Sequence, residues 1–358
     1  MIVTLKSHTM TTLIDSIGAQ LISLKSGSGT EYIWQRDPVH WKSCSPLLFP
    51  TVGNCRDGKY TLNGKTYTIP KHGFCRNADF AVSVLSEQEA SFTLTNSPET
   101  RASYPFAFQL KLTYTLTGDG LQLHYTVTNP DTKPMYYQLG AHPGFNCPLQ
   151  SGERFEDYVL EFEQEETAGY HSYDLNRMEF NMNSCTPILD HAAVIPLTHE
   201  LFENDAIFFT DLRSKKVALK NPATGYGVEV SYPDFATVAF WTAAATKAPF
   251  LCVEPWNGSA IRSDEDDNFL NRHFLQKLEG GESKEYRIWI KINTTTTTKK
   301  KLRLIRSEKR LATTDKDFLS KVGRLLCEEF AAVLKESPES ARKHLAKALG
   351  TQNNSVQI

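Results

Sequence analysis

The most constraining feature of this sequence is a strict alternation of apolar and polar residues in paired stretches. In residues 108–116, FQLKLTYTL, every second residue from Phe108 to Leu116 is apolar. A Gly-Asp-Gly turn follows, and residues 121–127, LQLHYTV, repeat the alternation. Successive side chains of a β-strand point to opposite faces, so this pattern predicts a hairpin with one buried face.

Similar stretches recur over the first 293 residues. Residues 59–69, KYTLNGKTYTI, carry Asn63-Gly64 between two short runs, and this dipeptide favours a type I′ hairpin turn. The runs YVLEF, KVALKN, GVEVSY and EYRIWIKI also look like strands, whereas amphipathic helical patterns are scarce in this part. Many short strands and few helices predict an all-β domain, built from two packed antiparallel sheets or from a barrel.

A different pattern begins after Asn293. The run TTTTTKKK predicts a flexible linker, and apolar residues at helical spacing from Phe318 to Val333 predict an amphipathic helix, with a second helix beyond it. Residues 294–358 carry 14 Lys/Arg and seven Asp/Glu, against 25 and 34 in residues 1–293. We therefore predict a β domain over 1–293 and a basic α-helical tail over 294–358. The tail is expected to dock on a protein partner or a second copy, with a membrane-surface or nucleic-acid helix as the alternative.

The chain as a whole has a net charge of −2, so no nucleic-acid partner is expected. It contains neither a signal-peptide pattern at its start nor the run of about 18 apolar residues that a transmembrane helix requires. Seven cysteines without a C-x-x-C pair argue against a disulfide framework and favour a reducing cytoplasm. They are Cys44, Cys55, Cys75, Cys147, Cys185, Cys252 and Cys327.

Two histidines and one glutamate stand beside turns that are far apart in the chain. His72 lies in KHGFCRN and His142 in GAHPGFN, each after a strand-like run. A histidine there can exchange protons near neutral pH, although a histidine that only bonds the backbone is the common alternative. Glu254 lies inside the apolar run FLCVEPW, where a carboxylate is costly to bury unless it is paired or used in catalysis.

Other polar residues are weaker candidates. Asp205 begins a strand-like run, and Arg76 and Arg56 could hold a polar ligand or pair with surface acids. The two histidines lack the third nearby ligand that zinc needs, so no metal site is predicted. The chain has no glycine-rich phosphate loop and no G-x-S-x-G motif, so no cofactor is predicted either.

Three segments together carry a family resemblance. LLFPTVGNCRDGKYTLNGKTYTIPKHGFCRN, QLGAHPGFNCPL and FLCVEPWNG resemble, in order and spacing, the galactose mutarotase (aldose 1-epimerase) family, in particular its bacterial-type branch. The resemblance extends over residues 1–293, where LEGGESKEYRIWIKI is similar to the closing strand of the family. It implies a large antiparallel β-sandwich and interconversion of the α and β anomers of free aldoses without a cofactor.

The resemblance also implies roles for individual residues. Glu254 matches the base that takes the proton of the anomeric hydroxyl, and His142 matches the acid that protonates the ring oxygen. His72 matches a second active-site histidine that contacts the same part of the sugar. Asp205 matches a substrate-binding aspartate.

One position departs from the family pattern. Many relatives have an arginine directly after the Phe-Pro-x-x-Gly segment, where this chain has Asn54. Arg56 lies two residues later and would share the same face of a regular strand. Asn54, Arg56 and Arg76 are therefore candidates for binding the sugar, whose identity the resemblance leaves open.

The leading hypothesis is a cofactor-independent sugar mutarotase. One alternative is a hexose-6-phosphate mutarotase, in which Lys71, Arg76 and Arg56 would bind the phosphate. Another is a non-catalytic carbohydrate-binding or regulatory protein on the same fold. A glycosidase is disfavoured, because that reaction uses two carboxylates that flank one bond and Glu254 stands alone.

Overall fold

The computed structural model describes residues 1–293, and β-strands dominate them. The strands of this part, numbered in chain order, are β1 Ile2–Lys6, β2 Met10–Asp15, β3 Gln20–Ser26, β4 Leu47–Leu48, β5 Lys59–Leu62, β6 Lys65–Thr68, β7 Ala81–Ser86, β8 Glu89–Thr95, β9 Gln109–Leu116, β10 Gly120–Thr128, β11 Met135–Tyr137, β12 Leu139–Ala141, β13 Gly144–Asn146, β14 Val159–Asp174, β15 Glu179–Phe180, β16 Thr186–Pro196, β17 Ile207–Phe209, β18 Lys216–Lys220, β19 Gly227–Ser231, β20 Thr237–Trp241, β21 Phe250–Asn257, β22 Gln276–Leu278 and β23 Ser283–Asn293.

Helices contribute little to residues 1–293. The α-helix α1 spans Pro98–Ser103 and begins at a capping box formed by Ser97 and Thr100. Short 3₁₀ turns lie at Arg56–Gly58, Cys75–Asn77, Phe155–Asp157, His199–Phe202, Ala244–Thr246 and Phe269–Asn271. This composition confirms the predicted all-β class for the described part of the chain.

The hairpin predicted from the strict alternation is confirmed. β9 and β10 are antiparallel neighbours, with Leu121 opposite Leu116. The alternating apolar residues of both strands are buried, whereas the residues between them are half-buried or exposed. β23 pairs with the other edge of β10 and buries Tyr286, Ile288 and Ile290 on the same pattern. One face of these strands therefore belongs to the core.

The predicted Asn63-Gly64 turn joins β5 to β6. Its two residues have positive φ angles of 50° and 74°. A type I′ turn requires positive φ at both central positions, which asparagine and glycine tolerate better than other residues. The local sequence thus decided this turn.

Sixteen of the described strands belong to one antiparallel sheet. β14 joins the two halves of this sheet, because Val159–Phe162 pairs with β18 while His171 and Ser172 pair with β17. Register shifts along its pairing with β16 mark bulges, which bend a strand and increase its twist. The predicted large antiparallel β-sandwich is confirmed. The order along the sheet is β4-β12-β21-β20-β17-β14-β18-β19-β23-β10-β9-β8-β7, with β13 beside β21 and β15 and β16 beside β14.

The half of the sheet from β4 to β17 has an apolar cluster of its own. Phe208 is fully buried there, and its ring packs against Phe180 with the centroids 4.6 Å apart. The ring of Trp256, on β21, also packs against Phe208, with the centroids 5.6 Å apart. Burial of each such side chain stabilises the fold by about 1.5–3 kcal/mol, so this cluster stabilises the packing of the strands around it.

Residues 294–358 lie outside the described part of the chain. The predicted linker, the predicted amphipathic helices and the domain boundary after Asn293 therefore stay predictions. Within residues 1–293, no helix combines the length and the apolarity that a membrane crossing demands.

Candidate active site

A cavity of about 260 Å³ lies against the half of the sheet that runs from β4 to β17. Five of the seven site residues predicted from the sequence meet in this cavity, although they come from distant parts of the chain. Its polar lining consists of Lys71, His72, Arg76, His142, Asp205 and Glu254, and its aromatic lining of Trp41, Tyr173, Phe180, Trp241 and Trp256.

Glu254 reaches the cavity from the middle of β21, a strand whose eight residues are all buried. β20 pairs with one edge of β21, and β12 and β13 pair with the other. The Glu254 side chain is 2% exposed, and its Oε2 has no well-aligned hydrogen bond within residues 1–293. Burial, and then repulsion by Asp205, raises the pKa of the Glu254 carboxyl well above its usual value, and Lys71 acts in the opposite direction.

His142 follows β12 directly, so its ring lies beside β21. Its Nε2 is 3.2 Å from Oε2 of Glu254. The ring stacks on Trp41, with the centroids 5.0 Å apart and an angle of 27° between the planes, and it meets Trp241 edge to face. Burial is the main cause that lowers the pKa of His142 to about 3, and the charge of Lys71 contributes.

His72 is held in a strained turn. Its φ is +67°, and Gly73 follows with a φ of +73°. A Cβ on Gly73 would lie 2.1 Å from the carbonyl oxygen of Phe49, so this close approach requires glycine. The N–H of Gly53 donates to Nδ1 of His72 at 3.0 Å, which places the proton of the neutral ring on Nε2. Burial, and then the neighbouring His142, lowers the pKa of His72 well below its usual value.

Asp205 stands two residues before β17, with a φ of +72°. Its N–H donates to the carbonyl of Phe202 at 3.1 Å and closes the turn that follows the 3₁₀ segment His199–Phe202. Aspartate tolerates this left-handed conformation better than most residues. The turn places the half-buried carboxylate at the cavity, where its charge acts on Glu254.

Two cations, Lys71 and Arg76, also line the cavity. In the part of the chain that the structure describes, neither forms an ion pair with an acidic side chain. Lys71 lies over the ring of Tyr173, with Nζ 6.0 Å from the ring centre. Partial burial lowers the pKa of Arg76. An arginine without an acidic partner at a cavity wall is available to bind hydroxyl or anionic groups of a ligand.

Arg56 does not line the cavity. Its Nη2 lies 3.0 Å from a carboxylate oxygen of Glu179, and its Nη1 lies 2.7 Å from one of Asp267. These two acids occupy the guanidinium group. The expectation that Arg56 binds the sugar is therefore not supported by its position.

Asn54 also lies outside the cavity lining. Its side chain accepts a hydrogen bond from the hydroxyl of Tyr173 at 2.9 Å and donates one to the carbonyl of Met178 at 2.7 Å. Asn54 thus orients Tyr173, which does line the cavity, instead of facing the cavity itself.

Trp41 and Trp241 are cavity residues that the sequence pattern does not predict. Trp41 lies in the segment DPVHWKS, which has no regular secondary structure, and its ring meets that of Trp241 edge to face at 5.4 Å. A large aromatic residue in a polar loop is the signal that could have indicated it, because aromatic side chains dominate the packing of cores and binding surfaces.

Cys252 is a further residue that the sequence did not indicate. It precedes Glu254 by two positions on β21, and its Sγ, the carboxylate of Glu254 and a ring nitrogen of His142 all lie within 4.8 Å of one another. The expectation that His72 and His142 lack the third nearby ligand that zinc needs therefore does not hold for His142, which has Cys252 and Glu254 beside it.

The sequence is similar to those of known proteins over most of its length. The aldose 1-epimerase family model matches residues 1–266. The chromosomal LacX protein of Lactococcus lactis subsp. lactis is 34% identical over 276 residues, which cover 75% of this chain and 92% of that protein. The plasmid-encoded LacX protein of the same organism matches to the same extent.

Solved structures extend the similarity to the fold. A galactose mutarotase related enzyme from Lactobacillus acidophilus superposes with a TM-score of 0.78 at 30% identity, over 83% of this chain and 98% of that chain. A galactose mutarotase-like protein from Lactobacillus casei gives a TM-score of 0.76 at 30% identity, over 82% of this chain and 100% of that one. The chain therefore belongs to the aldose 1-epimerase family of carbohydrate isomerases.

Proposed function

We propose that this protein is a cofactor-independent mutarotase, in which Glu254 is the base and His142 the acid. The observation that carries the proposal is the distance of 3.2 Å between Oε2 of Glu254 and Nε2 of His142 at a buried cavity wall. In an aldose ring, the anomeric hydroxyl oxygen and the ring oxygen are bonded to the same carbon. A base for one and an acid for the other must therefore lie side by side, as these two groups do.

The proposed reaction begins when Glu254 accepts the proton of the anomeric hydroxyl while His142 donates a proton to the ring oxygen. The bond between the anomeric carbon and the ring oxygen breaks, which gives the open-chain aldehyde. Rotation about the adjacent carbon–carbon bond presents the other face of the carbonyl. The hydroxyl formed from the ring oxygen then attacks that face and returns its proton to His142, while Glu254 protonates the carbonyl oxygen. Both groups end as they began.

Burial strengthens both partners of this proton exchange. A raised pKa makes the Glu254 carboxylate a stronger base, and a pKa of about 3 makes the His142 imidazolium a stronger acid. The reactive form of the pair carries one proton, on His142, whereas the more populated form carries it on Glu254. The two pKa values of the pair as a unit then bound a bell-shaped dependence of kcat/KM on pH.

The cavity suits a single sugar ring. Its volume of about 260 Å³ lies just below the range of roughly 300–1,000 Å³ that holds drug-sized ligands, so an oligosaccharide would not be enclosed. Tryptophan rings form part of the wall and can pack on the apolar face of a sugar. Asp205, Arg76 and Nε2 of His72 supply groups that can bind its hydroxyls.

Polarimetry tests the proposal. Freshly dissolved α-D-glucose and α-D-galactose are expected to reach the equilibrium rotation faster with the protein than with buffer alone. Equal rates with and without protein for both sugars, and for other common aldoses, would leave a non-catalytic carbohydrate-binding protein as the better hypothesis.

A second candidate substrate is a hexose 6-phosphate. Lys71 and Arg76 favour it, because both line the cavity and neither has an acidic partner within residues 1–293. Arg56 no longer supports it, since Glu179 and Asp267 occupy its guanidinium group. The same assay with α-D-glucose and α-D-glucose 6-phosphate decides between the two, since a phosphate site would give the phosphorylated sugar the higher kcat/KM.

Charges near the acid–base pair are expected to move its pH profile. Lys71 lowers the pKa of both Glu254 and His142, so Lys71→Met should shift both limbs of the bell to higher pH. Asp205 raises the pKa of Glu254. Because the Glu254 pKa is the higher of the two, it sets the alkaline limb, and Asp205→Asn should shift that limb to lower pH. The measurement is kcat/KM against pH, with Lys65→Met in the β5–β6 hairpin as the control. A bell that stays in place in both variants would contradict the assignment.

The β domain is proposed to be complete without the tail. Nearly the full length of the two solved relatives corresponds to little more than four-fifths of this chain. A chain shortened to residues 1–293 is therefore expected to fold and to retain kcat/KM, while its association state or the salt dependence of that state changes. Polarimetry and light scattering on the two chain lengths provide the measurement. Lost activity in a shortened chain that still folds would place residues of the tail in the active site.

A further inference from the structure

The acid–base pair has a thiol beside it. Cys252 and Glu254 are two positions apart on β21, so their side chains leave the strand on the same face. The turn that carries His142 continues into β13, where Gly144 pairs with Cys252. As a result, one sulfur, one carboxylate oxygen and one ring nitrogen lie within 4.8 Å of one another, all on buried residues.

We propose that His142, Cys252 and Glu254 form a binding site for a thiophilic divalent cation such as Zn²⁺, which competes with the sugar for the cavity. Thiolate, imidazole and carboxylate are the ligands that zinc takes in proteins. The three ligand atoms are a sulfur, a nitrogen and an oxygen. Such a site selects Zn²⁺ or Cd²⁺ over Mg²⁺ and Ca²⁺, which prefer oxygen ligands alone.

The geometry is close to what such an ion requires. With bonds of about 2.0–2.3 Å in a tetrahedral site, ligand atoms lie roughly 3.3–3.8 Å apart. The nitrogen and oxygen of His142 and Glu254 are already 3.2 Å apart, and no separation in the group exceeds 4.8 Å. Rotation of the cysteine and histidine side chains can close the remaining gap. A fourth ligand would come from the cavity, which His142 and Glu254 line.

The charges also match. A thiolate and a carboxylate together balance the two charges of the ion, so the bound site is neutral, as a buried site must be to avoid a large desolvation cost. Binding of the ion displaces the proton of the Cys252 thiol and the proton that the Glu254–His142 pair holds, so affinity should rise with pH.

Bound metal would block the reaction, a consequence that rests on the proposed function. The ion would occupy the electron pairs of Glu254 and His142 that exchange protons with the sugar. Its inhibition should be reversed by a chelator and weakened by high sugar concentration, because both relieve occupation of the same cavity.

The primary test is metal binding, which does not depend on turnover. Titration of the full-length protein with Cd²⁺ should produce the ultraviolet absorption of a cadmium–thiolate bond at one equivalent. Cys252→Ser should abolish that band, whereas Cys185→Ser, at the exposed thiol, should retain it. Zn²⁺ affinity should fall in Cys252→Ser by more than the roughly 10–100-fold that loss of an outer-shell partner costs.

Activity provides the second readout. Zn²⁺ should inhibit the unmodified protein and Cys185→Ser alike, whereas Cys252→Ser should have the same activity with Zn²⁺ as without it. If Cys252→Ser fails to fold, the titration of the unmodified protein with and without D-galactose decides, since the sugar should weaken Cd²⁺ binding. Absence of the thiolate band, or an unchanged band in folded Cys252→Ser, overturns the proposal. A normal band in a protein without mutarotase activity would overturn only the proposed function.

Discussion

Glu254→Gln is expected to lower kcat/KM for mutarotation by about 10²–10⁴-fold, the usual contribution of a general base. The replacement keeps the size and planarity of the side chain but removes its ability to accept the proton. Because burial raises the pKa of this carboxyl, the carboxylate is a stronger base than an exposed glutamate. The measurement is polarimetry of α-D-galactose and α-D-glucose with the folded variant.

A matched control for this variant is Glu166→Gln. Glu166 is also buried, but it accepts hydrogen bonds from the N–H and hydroxyl of Ser214 and does not line the cavity. The control should lose stability without losing turnover per folded molecule, since Gln replaces one acceptor oxygen with a donor. Near-normal turnover of folded Glu254→Gln would assign the base to another residue.

His142→Asn is expected to reduce kcat/KM by a similar factor of about 10²–10⁴, because the ring oxygen would lose its proton donor. The variant should also lose the bell-shaped pH profile, since one proton is no longer shared between two groups. Added imidazole is expected to restore part of the activity, because the lost ring leaves space between Glu254 and Trp41. Polarimetry across pH, with and without imidazole, measures all three effects.

His199→Asn is the control for this replacement. His199 is buried and stacks on Phe155 with the ring centroids 4.1 Å apart, but it is not part of the cavity lining. Its loss should lower the melting temperature and leave the pH profile unchanged. If folded His142→Asn keeps both limbs of the bell, the proton donor is a different group, and His72 is the next candidate.

In the proposed mechanism, the fold makes the Glu254–His142 pair reactive. A carboxyl and an imidazole that are exposed to water would hold their usual pKa values and interact weakly. Here a fully buried strand carries one group, and a turn against that strand carries the other. The shared desolvation drives the two pKa values apart, so the Glu254 carboxylate would be a stronger base and the His142 imidazolium a stronger acid than their exposed counterparts.

The sequence by itself determined the features that depend on neighbours along the chain. The alternation in β9, β10 and β23 predicted their buried faces, and Asn63-Gly64 predicted its turn. Glu254 in an apolar run and the two histidines beside glycine turns were also recognisable, because burial of a charge and the turn conformation have local signals. Family resemblance then suggested a role for each.

Only the tertiary structure decided which of these groups meet. Arg56 and Asp267 are separated by 211 positions, so no local pattern could show that this ion pair keeps the arginine away from the cavity. The same holds for the stacking of Trp41 on His142 and for the thiol of Cys252 beside the acid–base pair. A sandwich brings distant strands together through pairing and side-chain packing, and those contacts arise from the whole chain at once.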